Sequence, residues 1–261
     1  MNRKNNAKNL FGAAEDLRSL PTTPSSPAYK TSGDGCQDYV LDAFFGGRSE
    51  VKLEPSRLAN VPIFFIVGGP SSGKSTQCEK IVAKYGLTHL SSGDLCREEV
   101  KLGSKRGSEL AKIMEAGELV PLEIVLDLIK EAMVKAIGKE SKGFLIEGYP
   151  REVKQGDQFE AEIQPCKLVI FFDVSEKTLV NRWKQRRLTS GRVDDKVKSI
   201  KKRLQTFNTA TQPVVDHYIQ KQNDPAVKTY IKTDPKVFIH TEALIKAMDS
   251  ILAADNAKTV N

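Results

Sequence analysis

The segment that most constrains this chain is Ile63-Phe64-Phe65-Ile66-Val67 followed by Gly68-Gly69-Pro70-Ser71-Ser72-Gly73-Lys74-Ser75-Thr76. A continuous apolar run bounded by Pro62 and Gly68 has the pattern of a central parallel strand, buried on both faces. Gly68, Gly73, Lys74 and Ser75 satisfy G-x-x-x-x-G-K-[ST], the turn whose backbone N–H groups cradle a polyphosphate at a helix N-terminus. Ile81, Val82 and Tyr85 then recur at helical spacing up to Gly86, so the turn has the strand before it and the helix after it that such a motif requires.

Composition narrows the partners. With 261 residues, 39% of them hydrophobic, the chain can bury a real core, and no apolar window reaches the length of a membrane span. The basic start (Arg3, Lys4, Lys8) has no apolar stretch after it, so no secretory signal is read. Cys36, Cys78, Cys96 and Cys166 are far apart in sequence, with no C-x-x-C pair to suggest zinc or a disulfide framework, and reduced thiols in the cytoplasm are expected. The net charge of +7 comes without an aromatic-interleaved basic stripe. That balance points to small polyanions rather than to nucleic acid, and no membrane partner is expected.

Along the chain, residues 1–60 carry an Asn/Lys-rich start and Pro21-Thr22-Thr23-Pro24-Ser25-Ser26-Pro27, the texture of a largely disordered tail. Within it, Asp38–Phe45 clusters apolar residues on a short helix, a candidate for docking a partner. From Val61 the pattern alternates strictly. Strands are expected at Ile63–Val67, Thr88–Ser91, Gly143–Glu147, Leu168–Asp173 and Val227–Ile231. Helices are expected at Thr76–Tyr85, Asp94–Leu102, Gly107–Glu115, Glu123–Ile137, Val153–Ile163, Glu176–Gln185, Asp194–Thr211, briefly after Pro213, and at Lys236–Leu252. Such alternation implies βαβ crossovers and a five-stranded parallel sheet with helices on both faces.

Four blocks then resemble one family. They are Gly68–Ile81, His89–Arg97, Gly143–Val153 and Thr189–Asp195, and in this order they resemble adenylate kinases of the short-lid cytosolic type. The resemblance implies a P-loop nucleoside monophosphate kinase fold over 61–254, with an AMP-binding helical region near 91–120, a short lid near 186–195 and a tail over 255–261. It implies a monomer that moves a phosphoryl group from ATP to AMP with Mg²⁺, giving two ADP. ATP would lie on Gly69, Ser71, Ser72, Gly73, Lys74, Ser75, Thr76 and Arg186. AMP would lie on Ser92, Arg97, Glu118, Leu119, Val120, Gly148, Tyr149, Pro150, Arg151, Gln155, Arg192 and Arg203. Lys74, Arg186, Arg192 and Arg203 would stabilise the transferred group, a task suited to cations that bond phosphate oxygens in a fixed fork. Mg²⁺ would be held through Ser75 and Glu147, the latter by way of water. Arg182, Arg187, Lys201 and Lys202 read instead as a solvated helix face.

The resemblance has departures. Ser71 and Ser75 stand where the family usually has glycine, and Glu147 where it has aspartate; the loop at Lys232-Thr233-Asp234-Pro235 is short and lacks a glycine at the donor base. Ser71 would be strained if its site needs positive φ. A UMP/CMP-type kinase and a catalytically weakened nucleotide sensor therefore stay open beside the adenylate kinase reading. Gln155, an amide able both to donate and to accept, favours the adenine base.

Overall fold

The computed structural model describes residues 53, 58, 61–137, 141–192, 194–221, 230–233 and 246–253, all within the compact unit Phe44–Asn261. The expected helix at 38–45 and the tails lie outside the described residues, except that Leu53 and Leu58 are buried.

The sheet has five strands, β1 (Ile63–Gly68), β2 (Thr88–Ser91), β3 (Phe144–Glu147), β4 (Leu168–Phe172) and β5 (Tyr230–Thr233), in the order β2-β3-β1-β4-β5. Every pairing is parallel. The connecting helices are α1 (Lys74–Tyr85), α2 (Ser92–Lys101), α3 (Lys105–Ala116), α4 (Leu122–Ile137), α5 (Val153–Glu162), α6 (Glu176–Arg187), α7 (Val197–Thr206) and α8 (Gln212–Lys221). The apolar run of β1 is central because both its faces are covered. Phe64 and Ile66 pack with Cys78 and Ile81 of α1, Leu145 of β3 and Met248. Phe65, pointing the other way, meets Phe159 of α5 edge-on at 5.0 Å, with Tyr149 and Tyr218 at 6.0 and 6.2 Å. Truncating so enclosed a ring to alanine costs about 3–5 kcal/mol.

Two expectations are corrected. The last strand is seen at Tyr230–Thr233 and so reaches two residues past the expected Ile231, in the register set by pairing Val169 with Tyr230 and Phe172 with Thr233; the expected start at 227–229 lies outside the described residues. The long helix begins at Val197, not Asp194, because Asp194 and Asp195 are held in a turn by arginine partners. It also runs without a break into a five-residue π-helical turn, Phe207–Thr211, and on into α8. Pro213 in the first turn of α8 has no N–H to give the helical ladder, so a wider turn ahead of it forfeits little.

This topology gathers the site. Ile66 of β1 is level with Glu147 of β3, which is level with Ser91 of β2. The C-terminal ends of three adjacent strands thus open onto one crevice, where ligands bind in open parallel sheets.

Candidate active site

The turn after β1 is built for an anion. Gly73, the N-cap of α1, is left-handed (φ 95°) and offers no side chain to the first N–H groups, so those donors and the positive end of the helix dipole are left for a ligand. Gly69 is needed for packing, since a Cβ there would come within 2.6 Å of Leu179 of α6. Ser71, the glycine replacement, has φ 60°, which is the positive φ that the sequence reading flagged as strained. Its hydroxyl is buried without a hydrogen-bond partner among the described residues.

Lys74 sits at the head of α1, and its ammonium donates to the carbonyls of Gly68 and Gly69, each at 2.8 Å. Burial, opposed by Glu147 and aided by neighbouring Arg151 and Arg203, brings its pKa down to about 8. Crowding recurs around the crevice. Arg203 is brought down to about 10 by burial and by Arg151 and Arg186, and Arg151 is also lowered, first by burial. Cations that depress one another in one cleft need an anion there to settle them.

The arginines come from three helices and two loops. Lys74, Arg97, Arg151, Arg186, Arg192 and Arg203 all line the cleft above Ser71–Thr76, which also holds Glu147 and Gly148. The bearings of Arg186 and Arg203 are fixed by carboxylates that the sequence pattern places in a helix. Asp195 takes both nitrogens of the Arg186 fork and the Ser190 hydroxyl. Burial would raise the Asp195 carboxyl, but these partners hold it below its ordinary value. Asp194 accepts from Arg203 at 2.6 Å and lies 4.0 Å from Arg97. Both aspartates are 4% exposed. Arg182 is a second correction: not on a solvated face, it donates to the Ser72 carbonyl at 2.9 Å and lines the same cleft. The available signal was its spacing, one helical turn before Arg186 on the same face of α6.

At the floor of the cleft Ser75 donates to Glu147 Oε1 at 2.8 Å, and His89 Nε2 donates to Oε2 at 2.9 Å. Burial acts to raise the carboxyl of Glu147; His89, Lys74 and Ser75 outweigh it and keep the group ionised. A hydroxyl and a carboxylate beside the phosphate turn are hard oxygen donors, the type that Mg²⁺ selects.

An adjoining cavity is walled by Ser92, Arg97, Glu118, Leu119, Val120, Gly148, Tyr149, Pro150, Arg151, Gln155 and Arg203, all assigned to the second nucleotide, together with Lys74, whereas Arg192, assigned with them, lines the phosphate cleft instead. Gln155 is 2% exposed; its Oε1 accepts from the Arg151 amide at 2.8 Å and its Nε2 donates to Glu152 at 3.3 Å. Ser92 donates its proton to the Gly148 carbonyl at 2.9 Å, which leaves only its lone pairs for a ligand. Tyr149 is wholly buried and donates to the Gln155 carbonyl, so it shapes the wall from behind. Phe207, on the π turn, enters the same wall and stacks on Phe171, while Thr211 donates to the Arg151 carbonyl. Among the residues assigned to nucleotides, Gly69 alone lines neither cavity; its carbonyl serves Lys74 instead.

A parallel sheet with a phosphate turn after its central strand, and two joined cavities under one set of cations, define a P-loop phosphotransferase acting between two nucleotides. The sequence model of the adenylate kinase family matches residues 66–223. Over 174 residues the chain is 69% identical to adenylate kinase isoenzyme 1 of Caenorhabditis elegans, covering 67% of this chain and 83% of that protein. It is 56% identical to the human isoenzyme 1 over 62% of this chain and 83% of the relative, and 49% identical to that of Cyprinus carpio over 75% and 98%. The chain belongs to the adenylate kinase family. No helix among the described residues is long and apolar enough to cross a membrane.

Proposed function

We propose that the chain catalyses reversible, Mg²⁺-dependent transfer of the terminal phosphoryl group of ATP to AMP, yielding two ADP. The observation that carries this reading is the convergence of Lys74, Arg97, Arg151, Arg186, Arg192 and Arg203 on a cleft shared by a phosphate turn and a second cavity. ATP lies with its phosphates on 69–76, and Lys74 leaves its carbonyl partners for the β and γ oxygens. AMP occupies the second cavity, its phosphate on Arg97 and Arg151 and its base near Gln155 and the Glu118–Val120 backbone. Arg186, Arg192 and Arg203 bond the equatorial oxygens of the group in transit, whose charge is greatest in the transition state. Arg186 and Arg203 are set for this in advance by Asp195 and Asp194. Ser75, and Glu147 by way of water, would hold Mg²⁺, whose charge would screen the phosphates. The loop over 186–195 acts as a short lid that excludes water and so protects ATP from hydrolysis. The catalytic domain is 61–254, working as a cytoplasmic monomer, and residues 1–60 serve as an arm for a docking partner.

Gln155 supports AMP over pyrimidine acceptors, because its amide is pinned at a cavity wall and can both give to and accept from the adenine edge. Phosphoryl transfer from ATP to AMP, CMP and UMP, followed on the full chain, tests this. Transfer to AMP should exceed that to either pyrimidine by at least an order of magnitude, the usual cost of leaving buried polar groups unmatched. A pyrimidine preference would overturn the assignment, and background turnover with every acceptor would leave a nucleotide sensor in its place.

A further inference from the structure

Helix α1 and the two edge-side strands bring three unlike ligand types to one point. Cys78 lies one turn past Ser75 on α1, so its thiol hangs beneath the same face. In the sheet, Leu145 is level with His89 and Glu147 with Ser91, so the side chains of His89 and Glu147 are diagonal neighbours on the face that α1 covers. The thiol sulfur, an imidazole nitrogen and a carboxylate oxygen all fall within 4.8 Å of one another. Ligands bound tetrahedrally to one ion at about 2.0–2.3 Å stand roughly 3.3–3.8 Å apart, so closure by about an ångström would complete the set. Cys78 is fully enclosed, whereas His89 keeps 24% of its side chain exposed, an entry from solvent.

We propose that Cys78, His89 and Glu147 form a site for Zn²⁺ or a similarly borderline-soft divalent ion, and that filling it withdraws Glu147 from the phosphate cleft. Sulfur and nitrogen donors are poor ligands for Mg²⁺, which takes oxygen, but good ones for Zn²⁺. Three protein ligands leave a fourth position for water. On binding, the ion takes the sulfur lone pair and the thiol proton leaves to the buffer; nothing is oxidised or reduced. A thiolate and a carboxylate together cancel the ion's charge, which matters in a cleft whose other charges are mostly positive. His89 shifts its Nε2 proton to Nδ1 through solvent and gives Nε2 to the metal instead of to Glu147, so the hydrogen bond that steadies the carboxylate is lost together with the carboxylate's freedom. The loss of turnover on metal binding rests on the Mg²⁺ role proposed for Glu147; the binding itself does not.

The test uses the full chain with Co²⁺ and Zn²⁺ as probes. Wild type should take up one Co²⁺ with a near-ultraviolet sulfur-to-cobalt charge-transfer band, and Zn²⁺ should displace it and depress ADP formation. Cys78→Ala should lose the band and weaken Zn²⁺ binding at least tenfold while keeping its Mg²⁺-dependent turnover; Cys96→Ala should retain the band. Should Cys78→Ala fail to fold, His89→Gln in its place must weaken the band and the affinity. Undiminished binding and an unchanged band in the Cys78 variant, or no thiolate band in wild type, overturn the site. Metal bound at the thiolate with turnover untouched would uphold the site and reject the Mg²⁺ role of Glu147.

Discussion

Ser75 donates its hydroxyl proton to Glu147 at 2.8 Å, joining the two positions at which this chain departs from its family on the floor of the phosphate cleft. Glu147 spans from Ser75 to His89 with its two oxygens. The substitutions therefore act as a pair. Glu147→Asp alone should lower turnover at fixed Mg²⁺ about tenfold, since a shift of about an ångström in a catalytic carboxylate is felt strongly. Ser75→Gly should cost less. The double variant should be better than the sum of the two losses by about 1 kcal/mol, the coupling expected of contacting groups. Mg²⁺ titrations of turnover on all four proteins measure this, and strict additivity would refute the pairing.

Lys74 should show itself in two pH dependences of opposite sign. Its folded pKa of about 8 lies below the ordinary 10.5, so kcat/KM for ATP should fall as pH rises through about 8, when the free enzyme loses the ammonium. The limb in kcat should lie higher, because bound phosphate favours the charged form. Between about 8 and 10.5 the folded chain has released a proton that the unfolded chain still holds, so this group makes stability rise with pH. Denaturant unfolding at pH 7.5 and 9.5 should show that rise in wild type and not in Lys74→Met. A kcat/KM flat to pH 9.5 would contradict the assignment.

Arg182 holds the phosphate turn from outside by its bond to the Ser72 carbonyl. Arg182→Met keeps the aliphatic stem and removes the bond, worth about 1.5–3 kcal/mol for a charged donor. The KM for ATP should rise by up to about tenfold with a smaller fall in kcat, because the turn is loosened before any phosphoryl group moves. Steady-state kinetics with ATP and AMP varied separately decide it; an unchanged ATP KM would return Arg182 to the solvated face.

Ser71 combines a left-handed backbone with a buried hydroxyl lacking a partner among the described residues. Replacement by glycine removes both costs and adds some unfolded-state entropy, so Ser71→Gly should stabilise the chain by about 1 kcal/mol. Thermal unfolding should move up by about 2–4 °C for a domain of this size. A fall in the midpoint would mean that Ser71 is not strained.

The strands and the phosphate turn were legible because apolar runs and glycine spacing are local. Thr88–Ser91 was read with its observed bounds, and Leu168–Phe172 is one residue shorter than the reading. The helix drawn from Asp194 failed because acid residues at its start look like a favourable first turn, whereas their carboxylates are spent on Arg186 and Arg203, 9 residues away in each case. The π turn was invisible for the same reason: Phe207 answers to a ring on β4, not to its neighbours in sequence. Arg182 stands in a run of cations, and only its place one helical turn before Arg186 marks it as the one that faces the turn. The cysteines were judged by their spacing to one another, so Cys78, brought to His89 and Glu147 by sheet register, gave no signal.

The most direct test is ADP formation from ATP and AMP with and without Mg²⁺, for wild type beside Lys74→Met and Arg192→Ala. Wild type should show Mg²⁺-dependent turnover, and both variants should lose a hundredfold or more in kcat while still folded by circular dichroism, since each residue supplies several kcal/mol of contact to the group in transit. Turnover at the wild-type rate in either variant would contradict it.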